Sequence, residues 1–238
     1  MVISDDRPPV SPSSFPYAYS LLHEFPPAVA SLLLRQARPV VLRRGDVLFR
    51  RGDPGDACFL IRHGLIKSSI MSDRGEESII ALHGAGAIIG EIAMIDGLPR
   101  MVTAQALNEC RLDAIARDAF WACLRDHPEM STGLIAILAG RLRRAGEETA
   151  WASLLPARAR VARAMLRIAG VAGVDVGANR RVIAVPITRA DIAAMAGVSR
   201  EEASRVLSAW RRTGTLTDKT GPAFEVDVAA LQAEAADT

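Results

Sequence analysis

The stretch that decides the fold reads ITRADIAAMAGVSREEASRVL and spans residues 187–207. It predicts two helices, Thr188–Ala196 and Ser199–Thr213, because each opens with a hydroxyl residue that can cap a helix and has an acidic residue three positions later. Of these two capping boxes, the one at Ser199 is the stronger prediction. Gly197 stands between the helices, where a tight turn favours a positive φ. Together these features predict a helix-turn-helix.

The second predicted helix has an apolar face and a polar face. Apolar residues recur at the i, i+3, i+4, i+7 spacing of a buried stripe, namely Ala203, Val206, Leu207 and Trp210. Four polar residues lie at the start of the helix and away from that stripe, namely Arg200, Glu201, Ser204 and Arg205. A recognition helix presents its first residues to base edges in the major groove, where arginine donates to guanine and glutamate accepts from cytosine. The alternative is a solvated face with a Glu201–Arg205 ion pair.

Charge is distributed unevenly along the 238 residues. The net charge is only +2, but residues 154–215 hold 11 basic and 4 acidic residues, which gives +7. Residues 1–153 hold 17 basic and 18 acidic residues and are therefore close to neutral. A basic segment beside a neutral one is typical of a nucleic-acid module joined to a domain with another role.

Residues 39–118 favour β structure and make up most of a predicted domain of residues 38–128. Eight short apolar segments recur at even spacing, and turn sequences such as Arg44-Gly45-Asp46 separate them. Such spacing predicts an antiparallel sandwich or a jelly roll, and of the two we expect an antiparallel β-roll of the jelly-roll type. The preceding N-terminal extension, residues 1–37, holds six prolines and one predicted short helix from about Pro27 to Arg38.

A helical period replaces the β pattern after residue 117. Apolar and small residues on the predicted helix 129–153 step by three and four residues, as in a heptad seam, at Ile135, Leu138, Leu142, Ala145, Thr149 and Ala152. We predict that this seam forms a parallel dimer interface, and the alternative is a helix packed on its own β domain. Residues 157–238 complete a winged helix-turn-helix, with a helix over Arg158–Ala169 and a two-stranded wing over Thr215–Val228. The predicted fold class is therefore α+β.

A second informative segment, Gly90–Arg100, reads GEIAMIDGLPR. A glycine that opens a short helix leaves backbone amides free to face an anion. Arg100 could clamp a phosphate through two hydrogen bonds, and Glu91 could accept a hydrogen bond from a ribose hydroxyl. The alternative is an internal Glu91–Arg100 ion pair. The predicted ligand-binding residues are Gly90, Glu91, Ile92, Ala93, Arg100 and Met101.

The sequence resembles the CRP/FNR family of bacterial transcription regulators over about residues 38–225. The helix-turn-helix carries the resemblance most specifically, from Ile187–Ala193 through Val198–Leu207. The resemblance implies a homodimer on a palindromic operator, with RNA polymerase as a further partner and the bacterial cytoplasm as the location. The Val176–Arg181 loop resembles the region that meets the polymerase in the family.

The resemblance also implies roles for individual residues. Glu201 and Arg205 match positions that read a G·C pair in a TGA core, Arg200 matches one that contacts a base or a phosphate, and Ser204 matches a serine that helps to read an outer thymine. Half-sites close to TTGA…TCAA are therefore expected. Thr188, Arg189 and Ser199 complete the predicted set of DNA-contacting residues.

Gly90–Arg100 resembles the phosphate-binding cassette of the same family, which implies a cyclic nucleotide such as cAMP as effector. Two features depart from the family pattern. Met101 and Val102 stand where nucleotide-binding members usually carry a hydroxyl residue and alanine. Ala145 and Gly146 stand at the positions that meet adenine, and neither offers a side-chain hydrogen bond. A different ligand, or a regulator without an effector, is the alternative.

Other classes of function fit the sequence less well. The cysteines Cys58, Cys110 and Cys123 are dispersed, which fits a reducing cytoplasm, and an iron–sulfur sensor needs four. Haem ligation, or a cupin-like metalloenzyme on the same roll, needs His ligands, but the candidates are isolated, namely His23, His63, His83 and His127. A regulatory module of another protein leaves the helix-turn-helix without a role. No membrane span or signal peptide is expected, and the chain is not predicted to be an enzyme.

Overall fold

The structure, a computed structural model, describes residues 27–236, without the side chains of residues 27–30, 137, 144 and 152. Most of the predicted N-terminal extension and the candidate ligand His23 therefore lie outside the described residues, and so does the side chain at the seam position Ala152. The short helix predicted near Pro27 is present as α1 (Pro27–Arg35).

The first domain is the predicted antiparallel β-roll. Its strands form two four-stranded antiparallel sheets, in the orders β1-β8-β3-β6 and β2-β7-β4-β5. One apolar cluster joins the two sheets, with Leu42, Ile61 and Leu112 from the first sheet and Ile66 and Ala104 from the second. The elements are β1 (Arg38–Leu42), β2 (Val47–Phe49), β3 (Ala57–His63), β4 (Ile66–Met71), β5 (Glu77–His83), β6 (Ile88–Ile89), α2 (Glu91–Asp96), β7 (Thr103–Ala106) and β8 (Cys110–Ala116).

Two helices follow the roll, α3 (Arg117–Asp126) and α4 (Met130–Leu154). The start of α4 is held on the roll because Met130 and Leu134 are buried in a cluster with Leu60, Ile115 and other roll residues. The rest of the 25-residue helix extends beyond this anchor.

The C-terminal domain is the predicted winged helix-turn-helix, with a hairpin of two strands and a final helix that the sequence did not indicate. Its sheet has four strands in the order β11-β12-β10-β9, whereas only the β11–β12 wing was predicted. The segment interpreted as a loop, Val176–Arg181, belongs to the β9–β10 hairpin, whose turn uses positive φ at Ala178 and Asn179. The elements are α5 (Ala157–Ala172), β9 (Gly173–Gly177), β10 (Arg180–Ile183), α6 (Arg189–Ala196), α7 (Arg200–Thr213), β11 (Leu216–Asp218), β12 (Phe224–Asp227) and the unpredicted α8 (Val228–Ala236).

The roll and the C-terminal domain share one hydrophobic core. Leu65, Ile79 and Leu82 of the roll belong to the same buried cluster as Met165 of α5 and Ile192 of α6. Burial of apolar side chains stabilises a contact by about 25 cal/mol per Å² of surface removed from water. The two domains are therefore packed together here rather than joined by a linker alone.

A buried ion network lies in this contact. The Nζ atom of Lys67 in β4 donates to Glu77 Oε2 of β5 at 2.8 Å and to Asp191 Oδ1 of α6 at 3.2 Å. The Lys67 side chain is only 9% exposed. Burial by itself lowers the pKa of this ammonium, but the two carboxylates outweigh that effect and raise the pKa above its ordinary 10.5. The network thus joins the roll to the first helix of the helix-turn-helix.

Candidate nucleic-acid interface and effector cavity

Of the two predicted capping boxes, the one expected to be weaker, at Thr188, is the complete one. The complete capping box lies at Thr188, whose Oγ1 accepts from the backbone N–H of Asp191 at 3.1 Å, while Asp191 Oδ2 accepts from the Thr188 N–H at 2.9 Å. At Ser199 only the hydroxyl half forms, with the Glu202 N–H as donor at 3.1 Å. Asp191 is buried and needs partners, whereas Glu202 is partly exposed to water, and this explains the difference. Gly197 adopts φ 61, as the predicted tight turn requires.

The recognition helix α7 places its two faces as predicted. Ala203, Leu207 and Trp210 are fully buried, and Val206 packs against the same core. Arg200, Glu201 and Arg205 are exposed, and Ser204 is half-buried. Within residues 27–236 no ion pair joins Glu201 to Arg205, so both charges are available to an external partner.

The wing is tied to the recognition helix by a two-bond ion pair. Arg211 donates through Nε to Asp218 Oδ2 at 2.9 Å and through Nη2 to Asp218 Oδ1 at 3.0 Å. These hydrogen bonds lower the pKa of Asp218 below its usual range. Because the pair links the end of α7 to β11, it fixes the wing beside the helix.

Three further predicted DNA-contacting residues surround the turn. Thr188, Arg189 and Ser199 are exposed. The hydroxyls of Thr188 and Ser199 are already used in capping, so their structural role is established by the geometry. The guanidinium of Arg189 carries a positive charge on the same surface.

A cavity of about 340 Å³ lies between the roll, α4 and α5. All six predicted ligand-binding residues line it, namely Gly90, Glu91, Ile92, Ala93, Arg100 and Met101. The remaining wall is largely apolar, with Phe49, Ile80, Leu82, Ile88, Ile89 and Val102 among its members. A volume of several hundred Å³ with a few convergent polar groups is typical of small-molecule sites.

Glu91 does not form the ion pair with Arg100 that the alternative interpretation expected. The side chain of Glu91 is 1% exposed, and its Oε1 accepts from Nη1 of Arg141 on α4. Arg141 also donates through Nη2 to the carbonyl of Ile88 at 2.7 Å. Burial raises the pKa of Glu91, and the charge of Arg141 opposes that rise. Within the part of the chain that the structure describes, Oε2 of Glu91 has no hydrogen-bond partner.

Arg100 is held instead by backbone carbonyls. Its Nη1 donates to Gly90 O at 2.6 Å and its Nη2 to Ala57 O at 2.7 Å, and the guanidinium lies 4.4 Å from the centroid of the Phe49 ring. A Cβ atom at Gly90 would lie 2.6 Å from Arg100 Nη1, and Gly90 has φ 80, so both space and conformation require glycine there. Nη2 of Arg100 also lies 3.9 Å from Oδ1 of Asp56.

Most of the residues that line the cavity were not predicted as ligand-binding residues from the sequence, and four of these come from helices outside the roll. Arg141 and Glu148 come from α4, and Arg167 and Val171 come from α5 of the C-terminal domain. Helical periodicity places Arg141 away from the seam, but it cannot reveal that the roll lies on that side. No local sequence pattern identifies these residues, because their place at the cavity depends on how the roll, α4 and α5 pack together.

The predicted dimer seam divides into two parts. Ile135 and Leu142 are large apolar residues that are 65% and 77% exposed, and Thr149 is also exposed. Leu138 instead packs against the roll cluster, as the alternative interpretation expected for the helix. Ala145 is exposed and borders the cavity.

The cysteines and His83, one of the candidate histidines, can be placed in the described part of the chain. Cys58, Cys110 and Cys123 are buried, free thiols, and burial raises the pKa of Cys58 to about 12. His83 Nε2 lies 2.9 Å from Ser68 Oγ at the cavity wall. Between residues 27 and 236 no three His, Cys, Asp or Glu side chains are grouped closely enough to hold a metal ion. None of the helices found in this range has the length and apolar character needed to cross a membrane.

Comparisons with known proteins match both halves of the chain. Residues 39–127 match the model of the cyclic nucleotide-binding domain, and residues 159–234 match the Crp-like helix-turn-helix domain. The cyclic AMP receptor protein of Thermus thermophilus is 33% identical over 219 residues, which is 91% of this chain and 96% of that protein. The CRP-like cAMP-activated global transcriptional regulator of Mycobacterium tuberculosis is 31% identical over 188 residues, covering 79% of this chain and 84% of that protein.

Two solved structures align with most of this chain. The catabolite activator protein of Thermus thermophilus aligns with a TM-score of 0.52 at 31% identity, over 91% of this chain and 98% of that one. FixK2 from Bradyrhizobium japonicum aligns with a TM-score of 0.75 at 22% identity, over 85% of this chain and 98% of that one, which shows a shared fold.

A β-roll with a cavity, a long helix and a winged helix-turn-helix are the architecture of a DNA-binding transcription regulator that carries a domain of the cyclic nucleotide-binding type. The chain belongs to the CRP-like family of bacterial transcription regulators.

Proposed function

We propose that the protein works as a homodimer that binds a palindromic DNA site with half-sites close to TTGA. The observation that carries the proposal is the start of α7, where Arg200, Glu201 and Arg205 are exposed and Glu201 and Arg205 do not pair with each other. Glutamate and arginine one helical turn apart can accept from cytosine N4 and donate to guanine O6 and N7. Thr188, Arg189, Ser199 and Ser204 complete the proposed contact surface. A regulator of this kind acts on the chromosome in the cytoplasm, together with RNA polymerase.

The proposed dimer interface is the exposed part of α4. Ile135 and Leu142 present apolar surface to solvent in a single chain, and large exposed apolar residues on one helix face favour association with a partner helix. Two copies related by a two-fold axis would place two α7 helices in successive major grooves, about 34 Å apart. The palindromic site follows from that symmetry.

The proposed effector site is the cavity beside α2. Its chemistry fits a small anion with an apolar body, because Arg100, Arg141 and Arg167 outnumber Glu91 and Glu148 along a mostly apolar wall. A cyclic nucleotide such as cAMP is the first compound to test, since the matched domain and the Mycobacterium tuberculosis regulator both point to that class.

A second candidate is a regulator that needs no effector. The contacts of Arg141 with Glu91, and of Arg100 with two backbone carbonyls, favour it, because groups that would receive a nucleotide already have partners in the same chain. Selection of binding sites from random duplexes, with and without cAMP, separates the candidates. If the affinity for DNA is equal with and without cAMP, the proposal of DNA recognition stands and the proposal of a cAMP-dependent switch is wrong.

The contribution of Arg205 is a specific test of DNA recognition. We expect Arg205→Ala to weaken binding to a TTGA…TCAA duplex by about 1–3 kcal/mol and to relax the preference at one base pair of each half-site. Arg212→Ala is the matched control, since it removes an equal charge from the exposed far end of the same helix. Competition gel shifts with duplexes altered at single positions measure both effects. Unchanged specificity in Arg205→Ala, or an equal loss in Arg212→Ala, would contradict the assignment.

A further inference from the structure

The DNA-binding domain supplies part of the cavity wall. Arg167 lies on α5, the first helix of that domain, and borders the cavity together with Val171. Its Nη1 donates to Glu148 Oε1 of α4 at 2.5 Å, and its Nη2 donates to the carbonyl of Met195 at 2.8 Å. Met195 belongs to the last turn of α6, two residues before the Gly197 turn. One guanidinium therefore contacts the cavity, the proposed dimer helix and the helix-turn-helix.

We propose that Arg167 is the positioning residue that transmits occupancy of the cavity to the helix-turn-helix. The inference rests on the proposed effector function and extends it by naming the contact that carries the signal. Its physical basis is the rigidity of the guanidinium, whose donors lie in one plane. An anionic or acceptor group of a ligand competes with Glu148 for Nη1. When the plane turns toward the ligand, Nη2 moves with it and leaves the Met195 carbonyl.

The hydrogen bonds of Arg167 leave room for such an exchange. Its side chain is 16% exposed, and its Nε has no hydrogen-bond partner among residues 27–236. A buried donor without a partner is costly, so a ligand acceptor placed there is favoured. Arg100 has no comparable connection, because its guanidinium donates to two backbone carbonyls of the roll, those of Gly90 and Ala57.

A ligand shifts a conformational equilibrium only through contacts that differ between the two states. A ligand in this cavity can meet that condition directly, because it would touch the roll and Arg167 of the DNA-binding domain at once.

The test compares Arg167→Gln with Arg163→Gln in the full chain. Arg163 lies one turn earlier on α5, where its guanidinium stacks 3.8 Å from the centroid of the Trp151 ring, and it is not among the cavity residues. For each protein, affinity for the TTGA…TCAA duplex is measured without nucleotide and at saturating cAMP, with saturation established by calorimetry. cGMP is tested in parallel. The quantity of interest is the ratio of the two affinities.

We expect a ratio of about 5–150 in the wild type, a similar ratio in Arg163→Gln and a ratio near 1 in Arg167→Gln. Glu148→Gln should also reduce the ratio. Hydrogen exchange without ligand gives a second readout: amides at the end of α6 should exchange faster in Arg167→Gln, and not in Arg163→Gln.

The possible failures are distinguishable. If the wild type responds and Arg167→Gln responds equally, the inference is wrong and the effector function stands. If the wild type responds to neither nucleotide while binding the duplex, the effector proposal is wrong and the inference falls with it. If both arginine variants lose the response and exchange faster alike, the role of Arg167 is structural and the inference is overturned.

Discussion

Replacement of Lys67 with methionine should lower the free energy of unfolding by about 3 kcal/mol. Removal of one member of a buried ion network leaves the other charges without compensation, and such losses typically cost about 3–5 kcal/mol. The lower end applies here because the Glu77 side chain is 28% exposed and keeps some contact with water. Asp191 is 10% exposed and also caps α6, so the helix-turn-helix should be affected together with the roll.

The pH dependence gives the prediction a second signature. The pKa of Lys67 is raised in the folded protein, so its contribution is fully present below the ordinary pKa of 10.5 and is lost as pH rises through the raised value. The difference between wild type and Lys67→Met should therefore be constant near neutrality and shrink in strong alkali.

Urea unfolding of the full chain measures the Lys67 effect at each pH. Lys219→Met is the matched control, because Lys219 pairs with Glu225 on the surface and is 41% exposed. Exposed pairs contribute about 0–1 kcal/mol. A Lys67→Met protein that unfolds like the Lys219→Met protein would show that the buried network adds no stability.

Replacement of Leu142 with glutamate should convert the protein to a monomer and weaken operator binding by about 10²–10⁴-fold. The leucine side chain is 77% exposed and lies on the proposed dimer face of α4, where two glutamates facing each other across a two-fold axis would repel. A monomer engages a single half-site, and it loses the gain that linkage gives to the second binding event.

Sedimentation velocity and gel shifts on a full palindrome measure the two parts of the Leu142 effect. Val41→Glu is the control, since Val41 is an equally apolar residue, 66% exposed, on β1. Its cross-strand neighbour is Arg111, so the new carboxylate is well tolerated there. A dimeric Leu142→Glu protein would exclude this face of α4 as the interface.

Local signals in the sequence were sufficient to predict the main elements. Capping residues and an apolar stripe predict α6 and α7, since both depend on neighbours within a single helix. Gly197 adopts the conformation expected from its place between them. The strands of the roll follow from short apolar segments and turn sequences. The β9–β10 hairpin was missed because its turn places Ala178 and Asn179, rather than a glycine pair, at positive φ.

The cavity could be predicted only in part. The six predicted residues lie in one contiguous segment, Gly90–Met101, so they could be identified together. Arg141 and Arg167 come from two helices that reach the roll from different directions, and their contacts depend on tertiary packing. The local sequence pattern also could not predict that Glu91 pairs with Arg141 rather than with Arg100. Both arginines are cationic, and the folded positions of the three side chains decide which arginine is close enough to pair.

The shared core has a consequence for protein engineering. A chimera that combined this roll with the DNA-binding half of another regulator would leave Ile79 and Leu82 facing a foreign surface, with the Lys67 ammonium deprived of Asp191. Exchange of halves between regulators therefore requires that the roll side of the boundary be redesigned along with the recognition helix.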